Sequence, residues 1–191
     1  MPLTRDEVHE LTAAARRGER HAQHRLYVAF APLVFGVCVR YARTRSEADD
    51  WAQDAWVRAF TKLAQYDGSG ELGAWLRRVA VTTCLQHLRR GTLAVDGAAA
   101  ARLAEGEGAL PADLHVAAVA LDRMSADELV AHIEALPEGY RLVFNLVAVE
   151  GYSHAEAAEA LGITVSTSRS QLTRARATLQ RRLAGLFQVS L

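Results

Sequence analysis

Apolar residues along the chain recur at intervals of three and four, the spacing of one face of an α-helix. Nowhere do they alternate with polar residues between turn signals, as a sheet strand requires. The pattern divides into three zones, with no internal repeat. Residues 1–90 hold several long helices. Residues 91–127 lose the periodicity: the stretch GTLAVDGAAAARLAEGEGALP is rich in Ala and Gly and holds Pro111. That is the composition of a linker, although residues 113–123 have the pattern of a short helix. Residues 128–191 are helical again. The expected fold is all-α, with two small helical domains at 1–90 and 128–191 joined by an acidic flexible linker.

In the first zone, Ser46 is a candidate N-cap for a helix whose early acids suit the helix dipole. At 100° per residue, Ala48, Trp51, Ala52, Ala55, Ala59 and Leu63 face inward. Asp50, Gln53, Asp54 and Val57 face out. An acidic, polar face with one aliphatic residue suits either solvent or a partner. A loop from Tyr66 to Glu71 leads into a helix from Leu72 through Arg90. Leu72, Trp75, Leu76, Val79 and Thr83 share one side of it, and Val81, Cys84 and Leu88 another, so it is packed on two sides. A polar stripe of Arg78, Thr82 and Arg89 runs between. Trp75 stands at core spacing, which alone favours packing over a base-stacking platform.

In the third zone, Ser153 and Glu156 form the S-x-x-E pattern of a capping box. The helix they open meets Gly162, which suits a left-handed C-terminal position. Thr164 then suits the N-cap of the next helix. Two helices joined by so tight a turn make a helix-turn-helix. On the second helix, Val165, Ser168, Leu172, Ala175, Leu179 and Leu183 fall on one side. Ser166, Thr167, Ser170, Thr173 and Arg174 fall opposite, flanked by Arg169 and Arg176. Short polar and cationic side chains at the start of such a helix suit the major groove, where Arg pairs with guanine and Ser or Thr meets bases or phosphates.

Charge sharpens this picture. The chain is neutral, with 22 basic and 22 acidic residues. Residues 1–90 carry 14 and 10 of these, residues 91–135 carry 2 and 8, and residues 136–191 carry 6 and 4. Two basic ends thus flank an acidic middle. From Leu161 to the last residue there are five arginines and no acid. A solvated charged face on a structural hairpin would show the same charge; the capping box and Gly turn favour DNA binding. The apolar run Leu26–Val39 is short for a bilayer and contains Pro32. The opening MPLTRDEVHEL lacks a signal-peptide apolar stretch. A cytoplasmic protein without membrane insertion is expected. Cys38 and Cys84 form no CxxC pair and suit buried thiols in a reducing compartment. Seven scattered histidines complete no metal pattern. No nucleophile motif or phosphate loop is present, so neither enzyme nor cofactor is expected.

The segment ALPEGYRLVFNLVAVEGYSHAEAAEALGITVSTSRSQLTRARATL resembles region 4 of extracytoplasmic-function sigma factors, small members of the sigma-70 family. It does so through Leu136-Pro137, Arg141, Val143-Phe144, Glu150-Gly151, Ser153, Glu156, Leu161-Gly162-Ile163, Arg169-Ser170 and Arg174-Ala175-Arg176. The resemblance implies that the last helix reads a −35 promoter element through Arg169, Ser170, Thr173 and Arg174, with Arg141 near phosphate. The stretch ADDWAQDAWVRA is similar to region 2.2 of the same family. That implies docking on the β′ clamp helices of RNA polymerase through Asp50, Gln53 and Asp54, beside Val57. The helix with Trp75 resembles regions 2.3 and 2.4, implying capture of unpaired −10 bases by Tyr66, Trp75, Arg78, Thr82 and Arg89. Further implied partners are the polymerase β flap and an anti-sigma factor. Four positions depart from the family pattern: Ser168 is usually apolar, Gln171 often Arg, Thr82 usually Asn, and Asp67 stands where many relatives have a base. Gln171 is expected to shift phosphate contacts, and Ser168 to cost packing or bond back to the preceding turn. The different-class alternative is a helix-turn-helix regulator acting on duplex DNA without polymerase, which would need no acidic docking face.

Overall fold

The computed structural model describes residues 3–94, apart from 67 and 69, and residues 126–188. The described residues form helices and connecting turns, with no strand among them. The helix expected at 113–123 and most of the expected linker lie outside them. The chain divides into two compact units, Met1–Leu88 and Arg89–Leu191.

The first unit opens with α1, Arg5–Arg16, whose N-terminus carries a full capping box from Thr4 and Glu7. Gly18, at φ 84°, turns the chain into α2, Arg20–Tyr41. By length and composition α2 could cross a membrane, with mean hydropathy 1.3, so the helix extends well beyond the run Leu26–Val39. Here Leu26, Val34, Val37, Cys38 and Tyr41 of α2 are buried in the unit's core. The next helix, α3, spans Arg45–Lys62. Its N-cap is Thr44, not Ser46: the Thr44 hydroxyl accepts from the Glu47 amide at 3.2 Å. Thr44 and Glu47 stand in the T-x-x-E spacing, so the cap sits two residues earlier than expected. All six positions expected to face inward are buried, five on α3 and Leu63 just beyond its end, and Trp56 joins them. A 3₁₀ turn, Leu63–Gln65, precedes α4, Leu72–Ala94, which continues past Arg90. Leu72, Leu76, Ala80, Val81, Thr83, Cys84 and Leu85 of α4 are buried. These positions cover more than one helical face, as a helix packed on two sides requires. Cys84 Sγ lies 3.8 Å from Cys38 Sγ on α2, and both are free thiols. The neighbouring Cys38 and burial push the Cys84 thiol well above the ordinary range.

The second unit contains α5, Ala126–Glu134; α6, Glu138–Phe144; α7, His154–Leu161; and α8, Val165–Gln188. A π turn at Asn145–Val149 follows α6, closed by the Glu150 amide on the Asn145 carbonyl at 2.9 Å. Ile133, Leu136, Ala175 and Leu179 form a core cluster, with Tyr140 and Phe144 packed against it. Helix α8 packs on α6 and α7. Its Arg182 donates to the His132 and Ala135 carbonyls, at 3.3 and 3.1 Å. These are orphan carbonyls at the C-terminal end of α5, where a cation is also favoured by the helix dipole.

Candidate nucleic-acid interface

The helix-turn-helix is α7, a three-residue turn and α8. Both bonds of the Ser153–Glu156 capping box are made, at 2.8 Å from the Ser153 amide to Glu156 and 3.2 Å from the Glu156 amide to Ser153. These bonds hold the Glu156 carboxyl below its ordinary range. Gly162 ends α7 in the left-handed region at φ 68°. Thr164 caps α8, accepting from the Thr167 amide at 3.0 Å.

The two sides of α8 differ as the spacing predicts, with two corrections. Ser168, Leu172, Ala175, Leu179 and Leu183 are buried, but Val165, in the first turn, is exposed. Gln171, expected to shift phosphate contacts, is 3% exposed, so its amide is turned into the unit rather than toward DNA. Ser168 is also fully buried. It bonds not to the preceding turn but across to α7, with its hydroxyl 2.9 Å from His154 Nδ1. Ser166, Arg169, Thr173 and Arg176 are exposed, and Thr167, Ser170 and Arg174 half-buried. The Ser170 and Thr173 hydroxyls donate back to the Thr167 and Arg169 carbonyls, both at 3.0 Å. Their free lone pairs leave them as acceptors beside arginine donors. Arg141 stands apart from this row. It is buried at 8% exposure and its guanidinium donates to the Glu134 carbonyl at 3.4 Å, at the end of α5. The structure therefore places it as a tie between α5 and α6 rather than beside an open phosphate position.

Along α4, Trp75, Arg78, Thr82 and Arg89 recur on one face, over about 21 Å at 1.5 Å per residue. Arg78, Thr82 and Arg89 are exposed and Trp75 half-buried. The Trp75 ring meets Tyr66 at 5.6 Å between centroids, tilted by 46°. The Arg16 guanidinium lies 5.8 Å over the Tyr66 ring and donates through Nε to the Leu63 carbonyl at 3.1 Å. Tyr66 donates its hydroxyl to the Gly70 carbonyl. Beside this group is a cleft of about 270 Å³ lined by Tyr66, Gly70, Leu72, Val8, Thr12 and Phe30. Thr82 donates to the Arg78 carbonyl at 2.8 Å, so its oxygen remains as an acceptor only. Arg16, fifty residues away in sequence from Tyr66, was not legible as part of this group.

On α3, Asp50, Gln53 and Val57 are exposed and Asp54 half-buried, forming one face at i, i+3, i+4 and i+7. Val57 is 66% exposed, an apolar side chain set among polar ones. The sequence spacing missed one member of this face: His87 of α4, whose Nε2 lies 2.8 Å from Asp54 Oδ2. Among the described residues, no three His, Cys, Asp or Glu side chains gather as a metal site.

The profile of sigma-70 region 2 matches residues 26–93, and that of sigma-70 region 4 matches residues 126–179. The RNA polymerase sigma-H factor of Pseudomonas aeruginosa is 30% identical over 97% of this chain and 98% of its own length. The chain belongs to the sigma-70 family. It is an extracytoplasmic-function sigma factor, acting with core RNA polymerase and promoter DNA in transcription initiation. A further relative, the sigma factor SigM of Mycobacterium tuberculosis, is 31% identical over 93% of this chain and 85% of its own. A solved structure of the sigma factor RpoE in complex with the anti-sigma factor NepR from Bartonella quintana covers 88% of this chain and 98% of its own. It shares 18% identity at a TM-score of 0.49. For this sigma factor, the regulator acting without polymerase is the less favoured alternative.

Proposed function

We propose that this sigma factor divides promoter recognition between its two units, as a cytoplasmic initiation factor rather than a catalyst. Residues 128–191 grip the −35 element through Ser166, Thr167, Arg169, Ser170, Thr173, Arg174 and Arg176. Residues 1–90 dock on the clamp helices through Asp50, Gln53, Asp54 and Val57, and capture −10 bases along Tyr66, Trp75, Arg78, Thr82 and Arg89. The observation that carries the −35 assignment is α8 itself. One side of this helix is buried, and the other presents arginines and acceptor hydroxyls with no acid. For the −10 strand, the support is a stripe of cations and aromatic rings as long as several nucleotides, beside a cleft lined in part by Phe30, Tyr66 and Leu72. Arg141 enters as a brace for the α5–α6 corner, which carries α8.

Arg174→Ala is expected to reduce transcription from promoters with a −35 element by about tenfold, the order of one lost bidentate contact, while core polymerase binding stays unchanged. Transcription in vitro from matched promoters with and without the −35 element, alongside a polymerase pull-down, measures both. Equal output from the two promoters by the unaltered protein would refute the −35 assignment. Permanganate footprinting tests strand opening, which Trp75→Ala is expected to reduce.

A further inference from the structure

We propose that His87 is a positioning residue for the polymerase-docking face, holding the Asp54 carboxylate in its docking rotamer. This rests on the reading of Asp54 as a docking residue. His87 belongs to α4 and lies 33 residues from Asp54 in sequence, yet its Nε2 stands 2.8 Å from Asp54 Oδ2. The ring is itself fixed: it stacks on Trp51, with centroids 5.2 Å apart and planes 12° apart. Trp51 is buried in the core. A chain of contacts thus runs from the core through the indole and the imidazole to a carboxylate that is 49% exposed.

The consequence is one of preorganisation. A free surface aspartate loses rotamer freedom when a partner captures it, and one already held does not. A carboxylate accepts through both oxygens, so the bond to Oδ2 leaves Oδ1 for a donor on the partner. A second tie repeats one turn along: Arg58 of α3 donates to Gln86 of α4, next to His87. The two tethered positions flank Val57, so the apolar member of the face stands between fixed neighbours.

The test is a double-mutant cycle on the full chain, with affinity for core polymerase read by fluorescence anisotropy. His87→Phe keeps a ring to stack on Trp51 and removes the donor. It is expected to weaken core binding about three- to tenfold, the scale of one immobilised side chain. His87→Gln keeps a donor and is expected to stay within about twofold of the unaltered protein, a rescue that a purely structural role would not give. Asp54→Ala is expected to weaken binding at least as much as His87→Phe. The double variant should then match Asp54→Ala, because nothing is left to position. Should the Phe ring not fit, as shown by a lowered melting temperature, His87→Met takes its place under the same criteria. Unchanged affinity for the donor-less variant, or losses that multiply in the double variant, overturns the proposal while leaving the docking face standing. Unchanged affinity in Asp54→Ala removes the docking role of Asp54 and the role of His87 with it.

Discussion

Ser168 has no contact with solvent, and its hydroxyl finds its partner across the turn of the helix-turn-helix, at His154. Removing one partner of such a pair leaves a buried polar group unsatisfied, which costs about 1–3 kcal/mol. His154→Ala is therefore expected to destabilise the second unit by that amount. Adding Ser168→Ala should recover part of the loss, as chemical denaturation of the single and double variants will show. The pair was not legible in the sequence, because it depends on two helices meeting fourteen residues apart. What could be read at Ser168 was only a hydroxyl at a core position. Arginines divide in the same way. Arg141 and Arg182 end on backbone carbonyls of α5 and its C-terminal edge, while Arg169 and Arg176 stand in solvent. Charge alone could not separate these roles, since a guanidinium serves a helix end as readily as a phosphate. Arg141→Ala is expected to lower the melting temperature of the protein, and Arg169→Ala to leave it unchanged while weakening −35-dependent transcription.

Helix ends were the most legible elements. The Ser153 box, the left-handed Gly162 and the Thr164 cap are local devices whose residues lie within four positions of one another, so spacing alone reveals them. Where two candidates compete, spacing must be read more closely: Thr44 wins over Ser46 because Glu47 stands three residues beyond it. The π turn after α6 has no such local mark, and it was not foreseen. Ser153→Ala should cost about 1 kcal/mol of stability. Gly162→Ala should cost about 1–2 kcal/mol, the penalty of a left-handed L-residue; thermal melts measure both. The box also predicts a pH dependence. Glu156 has its folded-state carboxyl held below the ordinary value by Ser153. Its contribution is therefore complete above the ordinary carboxylate range and is lost as the pH falls through the lowered value. Glu156→Gln should flatten that part of the melting-temperature profile below the carboxylate range.

Across the whole molecule, helical periodicity foretold the all-α fold of the described residues. The packing partners of each helix were not foretold, because periodicity shows which face is buried and not against what. Neutrality of the full chain bears on affinity, since phosphate attraction supplies most non-specific DNA binding. Binding of promoter DNA by the polymerase-bound protein should weaken with salt, and replacing Arg176 by Ala should make the log–log slope shallower by about 0.9 if it meets one phosphate. Such titrations separate arginines that touch the backbone from those that read bases. The sulfur pair between α2 and α4 offers an independent gauge of the first unit. Both side chains are sealed from solvent, so an alkylating reagent can reach them only when those helices part. The pace of their labelling therefore clocks how often the head of the protein breathes open, with no residue changed.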